Sequence, residues 1–302
     1  MSTQAVEVVC IGLATLDTIA RVPEQPPADG RVVAMDLRRA GGGPAATAAV
    51  ALARLGHRVA FVGAVGDDAA GEEIRASLAH EDVDVGDITV VAGARSPESL
   101  ILVASAAGTR SISAYPGTAG PPRLTASTVA RCAAAHWLHV DHVGYGVAKA
   151  LLPSTAGTGV RLSVDGGNRI DDLELRGVTL YAPTEDALRA RYEGAQLDAS
   201  LRAALRDGAS TVVATLGRLG SRAATRDLGP FTVPAHEAGL TSTLGAGDVF
   251  HGALLAGLLE ERSLEEAMRR ANIAAALSCR GLDGRSAIPT RVELDDACRS
   301  GA

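Results

Sequence analysis

The residues best suited to chemistry in this sequence are Gly245, Ala246, Gly247 and Asp248, which begin an apolar run that extends to residue 259. Small residues let the backbone approach a ligand, and the run predicts a helix that begins at these glycines. A helix N-terminus binds anions through its free N–H groups and dipole. A carboxylate there would repel phosphate in a site that only binds it. The presence of Asp248 is explained if it acts as a general base that takes a proton from a hydroxyl during phosphoryl transfer. The alternative is a tight turn capped by Asp248.

A second glycine segment, Gly41, Gly42 and Gly43, leads directly into Pro44. It either forms a tight turn or lets main-chain N–H groups approach a polyhydroxylated ligand. Asp17 follows the first predicted strand and either binds sugar hydroxyls through its two acceptor oxygens or caps a turn.

Two further positions lie at the predicted ends of strands. Thr215, Gly217 and Gly220 follow a β-branched run, and they form either a plain hairpin or part of a ligand site at the carboxyl edge of a sheet. Glu185 lies beside the predicted N-cap Thr184 and interacts with either the helix dipole or a magnesium ion.

Three histidines, His136, His139 and His142, surround one predicted strand. Side chains alternate along a strand, so His139 faces away from the other two and the three cannot converge on one ion. His142, near the carboxyl end of that strand, is a candidate substrate contact.

Composition excludes several classes of protein. The chain has 302 residues, of which 47% are hydrophobic and 3% aromatic, so we expect an ordered protein with an aliphatic core. Its 29 basic and 35 acidic residues give a net charge of −6, which argues against a nucleic-acid partner. Four cysteines without C-x-x-C spacing, no signal-peptide pattern and no long apolar segment predict a cytoplasmic protein that does not bind membranes.

Strand and helix patterns alternate along the chain, which predicts one α/β domain, residues 1–302, around a parallel sheet. Apolar alternation at residues 31–39 and 99–115 predicts a small antiparallel sheet inserted near the N-terminus. Proline and glycine bound a helix at residues 44–55, and Ser263 with Glu266 forms a capping box for a helix that extends to residue 280. The other strands are predicted at 6–12, 59–63, 136–140, 161–165, 178–181 and 211–215, and the other helices at 184–191 and 198–206.

Three segments, residues 41–56 (GGGPAATAAVALARLG), 62–71 (VGAVGDDAAG) and 242–252 (STLGAGDVFHG), resemble the signature regions of the PfkB/ribokinase family of carbohydrate kinases. Their order and spacing agree along nearly the whole chain. The resemblance implies a ribokinase-like three-layer α/β/α core with a small β-sheet lid, inserted at about residues 18–40 and 99–116. It also implies ATP-dependent phosphorylation of a sugar hydroxyl with Mg²⁺.

The resemblance also implies site roles. Asp248 resembles the catalytic base, and Gly245, Ala246 and Gly247 resemble the anion hole. Sugar contacts are implied for Asp17, Gly41, Gly42 and Gly43, nucleotide contacts for Thr215, Gly217, Gly220 and Asn272, and organisation of magnesium for Glu185.

Three positions depart from the family pattern. Ser242 stands where Asp helps to bind a monovalent cation, which leaves that requirement open. Ala46 and Thr184 replace asparagines, so a changed sugar specificity is expected.

The amino-acid sequences of these motifs, together with residues 284–289 (GRSAIP), are most similar to the sulfofructose kinase branch, which implies 6-deoxy-6-sulfofructose as substrate. Arg31 and Arg110 are the candidate cations for its sulfonate. Ala114 and His142 stand where an amide and an arginine are expected, so an unsubstituted ketose or pentose, such as fructose or ribose, is the alternative.

Two other functions compete with a kinase. A non-catalytic sugar sensor would explain Ala46, Thr184 and Ser242, whereas the retained Asp248 favours an enzyme. A nicotinamide-dependent oxidoreductase lacks its G-x-G-x-x-G fingerprint. Pairing of the lids in a homodimer is a further hypothesis, because the small sheet has an edge to cover.

Overall fold

The computed structural model describes residues 5–106 and 109–300. Its strands, in chain order, are β1 (Val8–Ile11), β2 (Thr15–Val22), β3 (Asp36–Gly42), β4 (Val59–Gly66), β5 (Asp84–Val91), β6 (Glu98–Ala104), β7 (Thr109–Tyr115), β8 (Trp137–Val140), β9 (Arg161–Gly166), β10 (Leu180–Pro183), β11 (Thr211–Thr215), β12 (Ser221–Thr225) and β13 (Phe231–Val233).

The α-helices are α1 (Pro44–Arg54), α2 (Ala69–His80), α3 (Ala126–Ala134), α4 (Tyr145–Thr155), α5 (Glu185–Arg191), α6 (Leu197–Arg206), α7 (Ala246–Leu259), α8 (Leu264–Ser278) and α9 (Arg291–Ser300). Within the described ranges, no helix is both long enough and apolar enough to cross a membrane.

The large sheet has the order β13-β12-β11-β10-β9-β8-β1-β4-β5. The seven neighbouring strands β11, β10, β9, β8, β1, β4 and β5 are parallel, whereas β12 and β13 extend one edge in antiparallel fashion. Every residue of β1 is fully buried, as expected for a central strand that is covered on both faces. The predicted parallel sheet is therefore confirmed, with a mixed edge.

Helices cover both faces of this sheet. One apolar core contains side chains of α1, α2, α7 and α8, and the other contains side chains of α3, α4, α5 and α6. The architecture is the expected three-layer α/β/α arrangement.

Local sequence signals place several helix ends correctly. Helix α1 has Pro44 in its first turn, and Gly43 as N-cap has φ 92°. Helix α8 begins at the predicted capping box, where the Ser263 side chain accepts a hydrogen bond from the Glu266 amide at 3.2 Å.

The small sheet differs from the prediction. Its order is β3-β2-β6-β7, and the central pair β2/β6 is parallel, so the sheet is mixed and the predicted antiparallel arrangement is wrong. The reason is topological: β2 follows β1 and β6 follows β5, so both strands leave the same edge of a parallel sheet in the same direction. The alternation pattern missed strand β2, which overlaps the lid insertion expected at about residues 18–40, and β3 begins at Asp36 rather than at residue 31.

Candidate active site

The carboxyl edge of the large sheet carries several polar side chains, and one of them, Thr215, was selected from the sequence. Asp141 follows β8, Asp165 is the second-to-last residue of β9, and Thr215 ends β11. In open α/β sheets ligands bind outside this edge, and here α7 begins beside it.

Helix α7 begins where the sequence predicted. Gly245 is its N-cap with φ 72°, and no side chain caps the helix. A Cβ atom on Gly245 would lie 2.9 Å from the Cα atom of Gly284, so this turn and the 284 loop pack too closely for a larger residue. The amides of Gly247 and Asp248 in the first turn have no intrahelical acceptor. This end of α7 can therefore bind an anion.

Asp248 lies in the first turn of α7 and is partly exposed. Its pKa is raised from 3.8 to about 7, chiefly by burial and also by the Asp165 and Asp141 carboxylates, while His251 and Arg285 act in the opposite direction. A carboxylate with this proton affinity can accept a proton near neutral pH.

The glycine segment belongs partly to the lid. Gly41 and Gly42 are the last two residues of strand β3 and pair with strand β2, so the tight-turn alternative is wrong for these two residues. A Cβ on Gly42 would overlap the Asp17 carboxylate, and one on Gly43 would overlap the carbonyl oxygen of Leu13. The glycines therefore bring the backbone against Asp17 and the end of β1.

Asp17 lies within strand β2, so the turn-cap alternative is wrong. It is 7% exposed, and the Thr15 hydroxyl donates a hydrogen bond to its carboxylate at 2.8 Å. Burial raises the pKa of Asp17, against that hydroxyl and the charge of Arg285. A carboxylate has about four acceptor positions, so Asp17 can also accept a hydrogen bond from a ligand hydroxyl.

Arg285 is a buried cation behind the glycine segment. Its guanidinium donates to the Gly42 carbonyl at 2.5 Å and to the Thr47 hydroxyl at 3.3 Å. A Cβ on Gly41 would overlap this guanidinium. Its charge stabilises the ionised forms of Asp17 and Asp248, so Arg285 acts on both predicted functional carboxylates.

Asp141 holds three segments of the site together. Its carboxylate accepts hydrogen bonds at 2.8–3.2 Å from the amides of Leu13, Ala45, Val143 and Gly144. The end of β1, the first turn of α1 and the loop after β8 are thereby fixed to each other. We interpret Asp141 as the anchor of the glycine segment.

The predicted nucleotide-binding residues lie around one hairpin. Thr215 ends β11, and a short 3₁₀ turn, Gly217–Leu219, connects it to antiparallel β12, so the hairpin interpretation is correct. This turn also lies at the carboxyl edge, so nucleotide binding there stays a prediction. Gly220 has φ 95°, and a Cβ there would overlap the Val233 carbonyl oxygen.

Asn272 is 7% exposed and does not present free amide hydrogens to a cleft. It donates to the carbonyl oxygens of Val233 and Pro234 at 3.1 and 3.0 Å. Its observed role is to hold the segment after β13 in place.

Glu185 begins α5 beside Thr184, whose side chain caps the helix as predicted. The Glu185 carboxylate forms an ion pair with Arg189 at 2.6 Å. Among the described residues, no group of three or more His, Cys, Asp or Glu side chains could hold a metal ion. A single carboxylate near the edge fits magnesium that is held mainly by substrate phosphates, because Mg²⁺ keeps most of its other ligands as water.

The histidines do not converge. His136 is exposed before β8, whereas His139 is buried and contacts the Ser163 hydroxyl at 3.1 Å. His142 is partly exposed after the strand, and its role in substrate binding stays a prediction.

The lid residues proposed for a sulfonate are dispersed. Arg31 is exposed in the segment before β3. Arg110 donates to the Thr243 hydroxyl at 2.7 Å, which connects β7 to the loop before α7. Strand register places Ala114 in the same row of the lid as Asp17 and Ser99, with a methyl group and no donor.

Four residues of the site, Arg285, Asp141, Asp165 and His251, received no role from the sequence. The two aspartates end predicted strands, and that position was a usable signal. Arg285 and His251 lack such a signal, because their contacts come from segments distant in the chain.

Comparison with known proteins agrees with this geometry. The model of the pfkB family carbohydrate kinases matches residues 5–291. The chain is 29% identical to a ribokinase of Haemophilus influenzae over 94% of this chain and 95% of that protein. It is 27% identical to fructokinase-1 of Oryza sativa, over 85% of this chain and 87% of that protein.

A solved structure with the same fold is Arabidopsis thaliana ribokinase complexed with ribose and ATP. Its TM-score is 0.85 at 22% identity, and the match covers 97% of this chain and 99% of that one. An Escherichia coli protein in complex with ATP and Mg²⁺ gives a TM-score of 0.84 at 18% identity, covering 98% and 99% of the two chains.

Proposed function

We propose that this chain, which belongs to the pfkB family of carbohydrate kinases, transfers the γ-phosphoryl group of ATP to a primary hydroxyl of a ketose-type sugar or a pentose. The observation that carries the proposal is the position of Asp248 in the uncapped first turn of α7, with a pKa raised to about 7. A base and an anion site thus occupy the same helix end.

The chain's own residues divide the work in this proposal. Asp17 and the backbone of Gly42 and Gly43 bind and orient the sugar, while Asp248 takes the proton from the attacking hydroxyl. The first-turn amides of α7 stabilise the negative charge that develops on the transferred group.

The nucleotide would lie along the β11–β12 hairpin, against Thr215, Gly217 and Gly220. Gly217 has open space where a Cβ would lie, so a ligand can approach the backbone there. Bound Mg²⁺ would neutralise phosphate charge, and Glu185 would help to orient it. Asn272 would act only by holding residues 233–234 in place.

For the sugar itself, we favour an unsubstituted ketose or pentose over 6-deoxy-6-sulfofructose. Arg110 is engaged with Thr243, Arg31 lies in an exposed segment outside the lid strands, and Ala114 offers no donor. A sulfonate needs fixed cationic or amide donors, and the lid presents few of them near Asp17.

We also propose that the lid pairs with a second copy of the chain. Apolar side chains are exposed on its outer face and the adjoining segment, with Val33 79%, Leu37 66% and Leu100 63% exposed. Sedimentation should show a dimer, and Leu100→Asp should weaken it. A wild-type chain that sediments as a monomer at assay concentration would contradict this proposal.

The proposed activity is tested by coupled ADP release with MgATP over a panel that contains ribose, fructose and 6-deoxy-6-sulfofructose. We expect sugar-dependent ADP release with an unsubstituted sugar. Sugar binding without ADP release would favour a sensor, and selective turnover of the sulfonated sugar would reverse our preference between substrates. Binding of NADH without any release of ADP from ATP would favour the oxidoreductase.

A further inference from the structure

A buried pair of charged side chains lies beneath Asp248 and has no part in the reaction described above. Nδ1 of His251 in α7 is 3.0 Å from Oδ2 of Asp165 in β9, and both side chains are 5% exposed. At this distance the two side chains form an ion pair when the imidazole is protonated. Such pairs are often no more stabilising than apolar residues of the same size, so stability alone does not explain this one.

The surroundings favour the charged state of the pair. Burial disfavours the imidazolium, but the carboxylates of Asp165 and Asp248 together raise the pKa of His251. Burial likewise disfavours the Asp165 carboxylate, but His251 and the hydrogen bond from the Gly167 amide together lower the pKa of Asp165. His139, whose ring centroid is 6.0 Å from that of His251, stays neutral because burial lowers its pKa to about 3.

The pair is close to the proposed base. His251 follows Asp248 by three residues in α7, so the two side chains are neighbours on one helix face, with Cβ atoms about 5–6 Å apart. Asp165 faces the same helix from the end of β9, and its other oxygen accepts the Gly167 amide at 2.8 Å.

We propose that Asp165 and His251 are positioning residues for the kinase reaction: as two fixed, opposite charges under the mouth of α7, they control the protonation state of Asp248. This inference rests on the proposed function. The other charged groups that act on Asp248 are Asp141 at the end of β8 and Arg285 in the loop beside Gly245, and both are held by hydrogen bonds of their own.

The two members act with opposite sign. Asp165 repels the ionised form of Asp248 and raises its pKa, while protonated His251 attracts it and lowers the pKa. The effect of Asp165 is the larger. Removing the His251 charge should therefore raise the pKa of Asp248, whereas removing the Asp165 charge, which also releases the proton from His251, should lower it.

The test uses the full chain and does not depend on turnover. The ¹³C resonance of the Asp248 side-chain carboxyl, assigned by its absence in Asp248→Asn, is titrated in wild type, His251→Asn and Asp165→Asn. An asparagine places its amide nitrogen near the former Nδ1 position, so His251→Asn removes mainly the charge. We expect the midpoint to shift upward by about one unit in His251→Asn and downward by less in Asp165→Asn, because the loss of the imidazolium charge offsets part of the loss of the carboxylate charge.

The matched control is His57→Asn. His57 is also a buried imidazole, 3.6 and 3.8 Å from the carboxylates of Glu7 and Glu260, but it lies before β4 at the opposite edge of the sheet. Its replacement should leave the Asp248 midpoint unchanged.

The two variants are expected to shift the Asp248 midpoint in opposite directions. If one of them does not fold, the other therefore still tests the inference. Midpoints within 0.3 unit of wild type, or a shift opposite to the expected sign, would overturn the inference. An inactive wild type with the expected shifts would reject the proposed kinase function but leave the electrostatic control of Asp248 by this pair standing, so the two failures are distinguishable.

Discussion

The carboxyl edge of the large sheet and the lid use charged residues in opposite ways. At the sheet edge, Asp141, Asp165 and Arg285 are nearly inaccessible, and each is held by several partners. In the lid, all seven residues of β7 are exposed. Burial strengthens electrostatic effects and shifts proton affinities, whereas exposed charges are screened by water. This difference supports the proposal that the chemistry takes place at the sheet edge and that the lid selects the sugar.

The largest effect that this comparison predicts is at Asp248. Asp248→Asn should keep nucleotide binding, measured by calorimetry, and lower turnover by roughly 10²–10⁴-fold, because it removes the general base. Turnover at the wild-type rate would reject the mechanism.

The same variant should be more stable than wild type near pH 8. The folded-state pKa of Asp248 lies above the unfolded value of 3.8, so this carboxyl costs stability progressively as the pH rises from about 4 to about 7, and the full cost remains above pH 7. Thermal unfolding should show this gain at pH 8 and lose it below pH 4, where the carboxyl is protonated in both states.

The next largest effect is expected at Arg285. Arg285→Met removes the donors to Gly42 and Thr47 and the cation beside Asp17, so sugar KM should rise at least about tenfold and stability should fall by about 3 kcal/mol. Arg270 is an equally buried arginine that pairs with Asp295 at 2.6 Å in the α8/α9 region. Arg270→Met should lose comparable stability and leave sugar KM unchanged. Equal rises in KM in both variants would contradict a specific role of Arg285.

A smaller effect is expected at Gly42. A methyl group there would overlap the Asp17 carboxylate, so Gly42→Ala should destabilise the fold by about 1–3 kcal/mol and weaken sugar binding. Gly146 in α4 has open space at the Cβ position, and Gly146→Ala should be neutral or stabilising by about 0.5–1 kcal/mol. The stability of both variants is measured by chemical unfolding and their sugar affinity by titration. An unchanged sugar affinity in Gly42→Ala would show that the glycine segment is not part of the sugar site.

The smallest effect is expected in the lid. Arg110→Gln removes one exposed hydrogen bond to Thr243, so stability should change by less than about 0.5 kcal/mol and sugar KM by a few-fold. Steady-state kinetics with the preferred sugar tests this. A loss as large as that of Arg285→Met would remove the contrast between the two regions.

Sequence reasoning was most successful where the signal is local. Pro44, the Ser263 capping box and the glycine before α7 set helix ends within one turn, because capping depends on neighbouring residues. The parallel pairing of β2 with β6 could not be predicted in this way, since residues 16 and 98 meet only through the topology of the core.

The site divides along the same line. Asp248 and the glycines were found because they are contiguous in sequence. Arg285 contacts Gly42 across 243 residues, and the His251–Asp165 pair depends on the packing of α7 against β9. Periodicity and capping carry no information on such contacts, so electrostatic tuning was visible only in the folded chain.

The most direct test of the central claim, that Asp248 accepts the proton at the mouth of α7, is the pH dependence of phosphoryl transfer in a single turnover of wild-type enzyme with a productive sugar. Because the base must be ionised, the rate should rise tenfold per pH unit in acid and level off near pH 7, where the pKa of Asp248 lies. A rate that stays constant between pH 5 and 8, with the fold intact, would contradict the account.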